Sequence, residues 1–277
     1  MRVYKTISGI LIENKDNFFL YQEDWDKFIN NDHLFDKLQQ IISVSSPTHQ
    51  ATELIKNSVL APIANQELWA CGVTYMRSKV GRQEESKTSG GGDFYARVYE
   101  AERPEVFFKS TAHRVVGHGG KVRIRKDSTW DVPEPELTLV VTSSGKIIGY
   151  TIGNDMSSRS IEGENPLYLP QAKTYDGCAA IGPCVYVTDT PIKPETVIHL
   201  DILRNGDTVY TDSIAINQMK RSLEELASFV YRECSFPYGC LIMTGTGIVP
   251  PNDFTLKSGD EIRIKIGSIG TLINFVS

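Results

Sequence analysis

The feature that most constrains this chain is a pair of carboxylates entering a run of β-forming residues. Glu134 and Glu136 stand two apart in Trp130-Asp-Val-Pro-Glu-Pro-Glu-Leu-Thr-Leu-Val-Val. On a strand, side chains at i and i+2 share a face. Two carboxylates side by side repel each other unless a cation lies between them. Pro133 and Pro135 stiffen the backbone around both. The run from Leu137 to Val141 has no polar alternation except at Thr138, so it is expected to be buried on both faces. Ser143-Ser-Gly-Lys146 then returns the chain, hairpin-like, through Ile-Ile-Gly-Tyr-Thr-Ile to Gly-Asn-Asp155. Three convergent carboxylates make a hard, all-oxygen site suited to Mg²⁺, Mn²⁺ or Ca²⁺. The bland alternative is an exposed Glu-x-Glu on an edge strand.

A length of 277 residues suits one large domain, or a small one plus a larger one. The net charge of −5 is mixed in sign and leaves no basic footprint for nucleic acid. No apolar stretch approaches the roughly 20 residues of a membrane helix. Met1-Arg-Val-Tyr-Lys-Thr-Ile lacks a signal peptide's apolar core, so the expected location is the cytoplasm. Cys71, Cys178, Cys184, Cys234 and Cys240 are odd in number and form no CxxC, which argues against a disulfide framework or a zinc knuckle. Cys178 and Cys184 read as small buried thiols, with a nucleophile or redox pair as the alternative. There is no Gly-x-Ser-x-Gly elbow, phosphate loop or dinucleotide fingerprint.

Residues 1–66 alternate short strands and helices and read as a small N-terminal α/β subdomain. Ile7 to Ile12 and Phe18 to Tyr21 are expected strands; Trp25 to Asn30 and Leu34 to Ile42 are expected helices. From residue 67 to 277, short β-rich runs punctuated by Gly and Pro suggest a closed or rolled sheet. Ser222 to Arg232 reads as a helix with Ser222 as N-cap and Glu224-Glu225 in its first turn. Gly90-Gly-Gly followed by Asp93 as an N-cap describes a flexible loop anchored by a helix.

Six stretches then occur in a set order: Pro133-Glu-Pro-Glu-Leu, Gly153-Asn-Asp-Met-Ser-Ser-Arg, Gln171-Ala-Lys-Thr-Tyr-Asp, Ala180-Ile-Gly-Pro, Met243-Thr-Gly-Thr-Gly and Gly259-Asp-Glu-Ile-Arg-Ile-Lys-Ile-Gly-Ser-Ile-Gly-Thr-Leu-Ile-Asn. From about residue 67 onward the chain resembles the fumarylacetoacetate hydrolase family. The resemblance implies an α+β fold, a β-rich roll around one divalent cation, most simply Mg²⁺. It implies ligation by Glu134, Glu136 and Asp155, and a Lys173 that points into the site. Hydrolases and decarboxylases of the family show Gly-x-Asn-Tyr-x-x-His with a Glu soon after, a dyad that activates water. Here Thr74 replaces the Asn and Ser78 stands where the His would be. The form Gly72-Val-Thr-Tyr-Met-Arg-Ser, with Arg103-Pro-Glu-Val-Phe-Phe-Lys downstream, instead resembles the family's sugar-acid dehydratase branch. That branch implies conversion of 2-dehydro-3-deoxy-D-arabinonate to 2,5-dioxopentanoate in pentose catabolism, with Glu105 and Lys173 as the proton-transfer pair. Acylpyruvate hydrolysis or oxaloacetate decarboxylation is the rival within the scaffold. Family members are usually homodimers or homotetramers.

Dehydration of such a 2-keto acid begins with loss of a proton from C3, beside the ketone. A base must reach C3, and an acid must protonate the departing C4 hydroxyl. A lysine beside a divalent cation suits the first task as a neutral amine; a Schiff base to the C2 ketone is the alternative. Arg77 and Arg159 are candidates for the substrate carboxylate, because a guanidinium fork matches one. Tyr75, Lys109, Ser110, Thr244 and Thr246 complete the expected substrate-binding set. Asp176 is expected to be structural, orienting Lys173.

Overall fold

The computed structural model describes residues 1–85 and 92–277. Its longer strands are β1 (Arg2–Thr6), β2 (Gly9–Asn14), β3 (Asn17–Tyr21), β4 (Glu67–Gly72), β5 (Glu105–Thr111), β6 (Pro135–Val141), β7 (Ile147–Asp155), β8 (Ala179–Tyr186), β9 (Val197–Arg204), β10 (Asp207–Ala215), β11 (Cys240–Met243), β12 (Glu261–Ile266) and β13 (Gly270–Val276). The helices are α1 (Trp25–Ile29), α2 (Leu34–Val44), α3 (Ala51–Asn57), α4 (Met76–Glu85), α5 (Gly92–Glu100), α6 (Arg159–Glu164), α7 (Leu169–Lys173) and α8 (Leu223–Tyr231). The expected loop of Gly90 and Gly91, and the side chain of Asp93, lie outside the described residues. Ser222 caps α8 as its sequence suggests, its Oγ accepting the Glu225 N–H at 3.1 Å.

One large sheet runs β3-β2-β1-β8-β7-β6-β11-β4-β5, with Val115–Val116 added beside β8. A second runs β10-β9-β12-β13 and ends on Lys121–Val122. Leu137, Leu139 and Val141 of β6 share a core with Ile198, Leu200 and Ile202 of β9 and Ile262, Ile264 and Ile266 of β12. On the other face of the large sheet, Val140 and Ile148 join Phe28, Leu34 and Leu38 of α1 and α2. All seven residues of β6 are therefore buried, as its unbroken apolar run suggests. Each fully buried Leu, Ile or Val contributes about 1.5–3 kcal/mol. That fixes the register of β6, since a slip of one residue would turn Glu136 into the core between the sheets.

The amino-terminal segment is joined to this sheet. Arg2 and Val3 of β1 pair with Tyr186 and Val185 of β8, and the core of α1 and α2 includes Val185 and Val187. The expected strand from Ile7 to Ile12 is instead interrupted: the chain turns at Ile7-Ser8, Gly9 takes φ +129°, and Ile7 is 72% exposed. A short strand, Lys121–Val122, ends before Ile124. Cys71, Cys178, Cys184 and Cys240 are buried free thiols and Cys234 is an exposed one. No helix among the described residues is long and apolar enough to cross a membrane.

Candidate active site

The site is built on the β6–β7 hairpin. The two strands are antiparallel, with Glu136 opposite Gly153 and Pro135 opposite Asn154. Asp155, two residues beyond Gly153, therefore lies on the face of Glu136. Glu134 stands just before β6, where its backbone and that of Asp155 exchange N–H···O bonds of 3.2 and 2.9 Å. Gly153 leaves the room the hairpin needs, since a Cβ there would stand 2.3 Å from Thr138 Oγ1. One carboxylate oxygen from each of Glu134, Glu136 and Asp155 lies within 4.8 Å of the others, and all three residues are buried.

Cations surround this triad unevenly. Lys173, fully buried at the end of α7, donates to Glu134 Oε2 at 2.6 Å, Asp155 Oδ2 at 3.1 Å and Ser157 Oγ at 2.6 Å. Arg159, the first residue of α6, donates to Glu134 Oε1 at 2.6 Å. Arg82 on α4 stands 3.8 Å from the same oxygen and pairs with buried Glu162. Lys109 Nζ stands 2.5 Å from Asp155 Oδ1, and donates to the carbonyls of Met156 and Lys173. Glu136 is met by the Gly245 N–H at 2.6 Å.

The electrostatic consequence is asymmetric. Burial opposes ionisation of Glu134, but Lys173, Arg159 and Arg82 overcome it and hold its carboxyl well below the usual range. Burial pushes Glu136 well above that range, and the charges of Asp155 and Glu134 push it further. Asp155 Oδ1, despite the approach of Lys109, receives no aligned hydrogen bond among the described residues. A buried, all-oxygen triad with one carboxylate short of positive charge is the environment a hard divalent cation stabilises. The residues present fit Mg²⁺.

Glu105, the first residue of β5, is not itself a lining residue of the cleft; it places a buried Oε2 against Gly72, which is one, without a hydrogen-bond partner among the described residues. Burial raises its carboxyl, and Arg82 and Lys173 offset part of the rise. Such a group keeps a proton more readily than an exposed glutamate and suits an acid role.

The structure sorts the remaining expected residues. Lys173, Arg159 and Thr246 line the cleft with the triad. Lys109 stands behind Asp155 rather than in the cleft. Arg77, expected at the substrate carboxylate, lies instead at the surface: its side chain is 54% exposed and paired with Asp212 at 2.9 Å. Tyr75 is buried in the core against Gly247 and does not line the cleft. Ser110 and Thr244 spend their hydroxyls on the backbone carbonyls of Thr111 and Leu137, each at 2.9 Å. Asp176 does not orient Lys173; it is exposed beside Arg114 and Arg123. Ser78 does line the cleft, with its Oγ donating to Tyr75 O at 2.7 Å, and no histidine does among the described residues. Arg82, Glu162 and Ser157 are the site residues that the sequence reading did not anticipate. A larger cleft of about 780 Å³, between α2, the β6–β7 turn and α8, lies apart from all of these groups.

With this geometry in view, the comparisons place the chain. The family described as fumarylacetoacetate (FAA) hydrolase C-terminal matches residues 84–277, and the chain belongs to that family. A probable 2-keto-3-deoxyxylonate dehydratase of Haloferax volcanii is 49% identical over 217 residues, covering 78% of this chain and 74% of that protein. The 2-dehydro-3-deoxy-D-arabinonate dehydratase of Saccharolobus solfataricus is 44% identical over 217 residues, covering 78% of this chain and 73% of that protein. A solved structure of 2-keto-3-deoxy-D-arabinonate dehydratase complexed with magnesium and 2,5-dioxopentanoate superposes with a TM-score of 0.86 at 35% identity, covering 100% of this chain and 99% of that one.

Proposed function

We propose that this chain is a metal-dependent hydro-lyase that converts 2-dehydro-3-deoxy-D-arabinonate to 2,5-dioxopentanoate and water. The observation that carries the reading is the buried triad Glu134, Glu136 and Asp155 with Lys173 Nζ in contact with two of its members. The dehydratases described above, and the magnesium in one of their structures, support it.

Glu134, Glu136 and Asp155 hold the divalent ion, which when bound supplies Lewis-acid polarisation of the C2 carbonyl. Arg159 and Arg82 on the cleft wall orient the substrate carboxylate, and Thr246 lines the same cleft. Lys173 removes a proton from C3, and Glu105 protonates the hydroxyl leaving C4. One hydrogen and one hydroxyl thus depart as water, and the resulting 5-hydroxy enone tautomerises to the 5-aldehyde. Ser78 stands in place of the histidine that the family's hydrolases use, and no histidine lines the cleft among the described residues. Residues 67–277 form the catalytic part in this reading, and residues 1–66 brace its sheet. A homo-oligomer in the cytoplasm belongs to the same proposal.

A panel of 2-keto-3-deoxy acids, acylpyruvates and oxaloacetate, incubated with Mg²⁺ and followed by mass spectrometry, tests the reading. The expected result is loss of one water from the sugar acids. Faster cleavage of acylpyruvates, or full activity in EDTA, overturns it.

A further inference from the structure

Glu162 has no part in the chemistry above, yet its side chain is only 1% exposed. It lies on α6 one turn beyond Arg159, whose Nε is 4.0 Å from Glu162 Oε2. Its other oxygen pairs with Arg82 of α4. Both of these guanidinium groups also face Glu134 Oε1, at 2.6 and 3.8 Å. Two buried arginines are therefore shared between two buried carboxylates, one a candidate metal ligand and one not. Glu134 has a third cation in Lys173 at 2.6 Å. Positive charge on a ligand carboxylate competes with a metal ion for the same lone pairs. A buried counter-charge that draws the arginines to itself relieves that competition.

We propose that Glu162 is a positioning residue for the metal centre: it holds Arg82 and Arg159 on the cleft wall and balances their charge, so that Glu134 stays available to a divalent cation. The inference rests on the metal reading of the triad. It assigns Arg82 and Glu162 opposite effects on metal affinity. Removing the charge of Glu162 shifts more of the pull of both guanidinium groups onto Glu134, and the ion is held less well. Removing Arg82 takes one competitor away from Glu134, and the ion is held more tightly. The double change removes one positive and one negative charge together, so its net effect on Glu134 is small.

Direct Mn²⁺ binding without substrate, followed by electron paramagnetic resonance and calorimetry, separates these outcomes from catalysis. Glu162→Gln is expected to weaken Mn²⁺ binding by about 10-fold or more, the range seen when groups supporting a ligand are lost. Arg82→Met is expected to strengthen it, and the double variant to return to near the wild-type value. Circular dichroism and melting curves establish that each variant is folded. Unchanged affinity in folded Glu162→Gln, or a double variant no better than Glu162→Gln alone, overturns the proposal. Should Glu162→Gln fail to fold, Arg82→Met decides alone: equal or weaker Mn²⁺ binding overturns it. Wild-type protein that binds no Mn²⁺ overturns the metal reading itself, and this inference with it.

Discussion

Gly72 has no side chain where Glu105 places its carboxylate: a Cβ at residue 72 would stand 1.8 Å from Glu105 Oε2. The two residues are register partners on β4 and β5, so the glycine is the space that the acid occupies. Gly72→Ala should force that carboxylate to swing away while the triad stays intact. The expected outcome is a fall in kcat of about 10²–10⁴-fold, the usual worth of a positioned acid or base, with Mn²⁺ affinity unchanged. Equal losses in metal binding and turnover would show that the strand pair itself had been disrupted.

Glu136→Gln should separate stability from function. The variant loses a buried charge that the metal-free fold accommodates poorly, so without metal it should melt higher than the wild type. It should gain no stability from Mg²⁺ and show no turnover. Melting curves with EDTA and with excess Mg²⁺ provide the comparison.

The pH dependence follows from the same residue. A glutamate whose folded value is raised stabilises the fold fully below its unfolded value near 4.5, and that contribution disappears as pH rises through the folded value. Metal-free protein should lose stability through Glu136 and Glu105 as pH rises above their unfolded value near 4.5. Glu134, held low, acts in the opposite sense and only in acid. The melting-temperature advantage of Glu136→Gln over wild type should therefore widen as pH rises. A difference independent of pH contradicts this account.

Lys173→Met should abolish exchange of the C3 hydrogens for deuterium while leaving Mn²⁺ binding at least as tight, because one cation has been taken from Glu134 and Asp155. Borohydride added to the turning-over wild type should trap no adduct. A mass increase on Lys173 would replace the base by a Schiff base without removing the dehydratase reading.

Arg77→Ala is expected to be nearly silent. The side chain is 54% exposed and its partner is Asp212; an exposed pair of this kind contributes about 0–1 kcal/mol. A large rise in KM would return Arg77 to the substrate.

The triad and its hairpin were legible because both are local. An i,i+2 pair, an apolar run and a four-residue turn all lie within residues 134–155, and the periodicity of a strand puts them on one face. Arg82 and Glu162 were not legible, because they meet only when α4 packs on α6. Arg77 and Arg82 sit on the same helix, but five residues at 3.6 per turn separate them by about 140°. One faces the cleft and the other the solvent, and α4 carries no clean apolar stripe to say which. Strand β10 is illegible for a related reason: most of it is exposed or half-buried, so its sequence shows no apolar alternation. In β1 and β2 the exposed, apolar Ile7 disguises the turn.

The pairing of β1 with β8 has a consequence for how the chain is made. Arg2 finds Tyr186 across the sheet, so the first strand leaves the ribosome long before its neighbour exists. At about 5–20 residues per second, the interval is roughly 10–40 s. Throughout it the β1–β3 meander presents an unpaired edge, and the apolar faces of α1 and α2 lack the β7–β8 surface that later covers them. The emerging chain thus carries an open sheet margin for most of its synthesis.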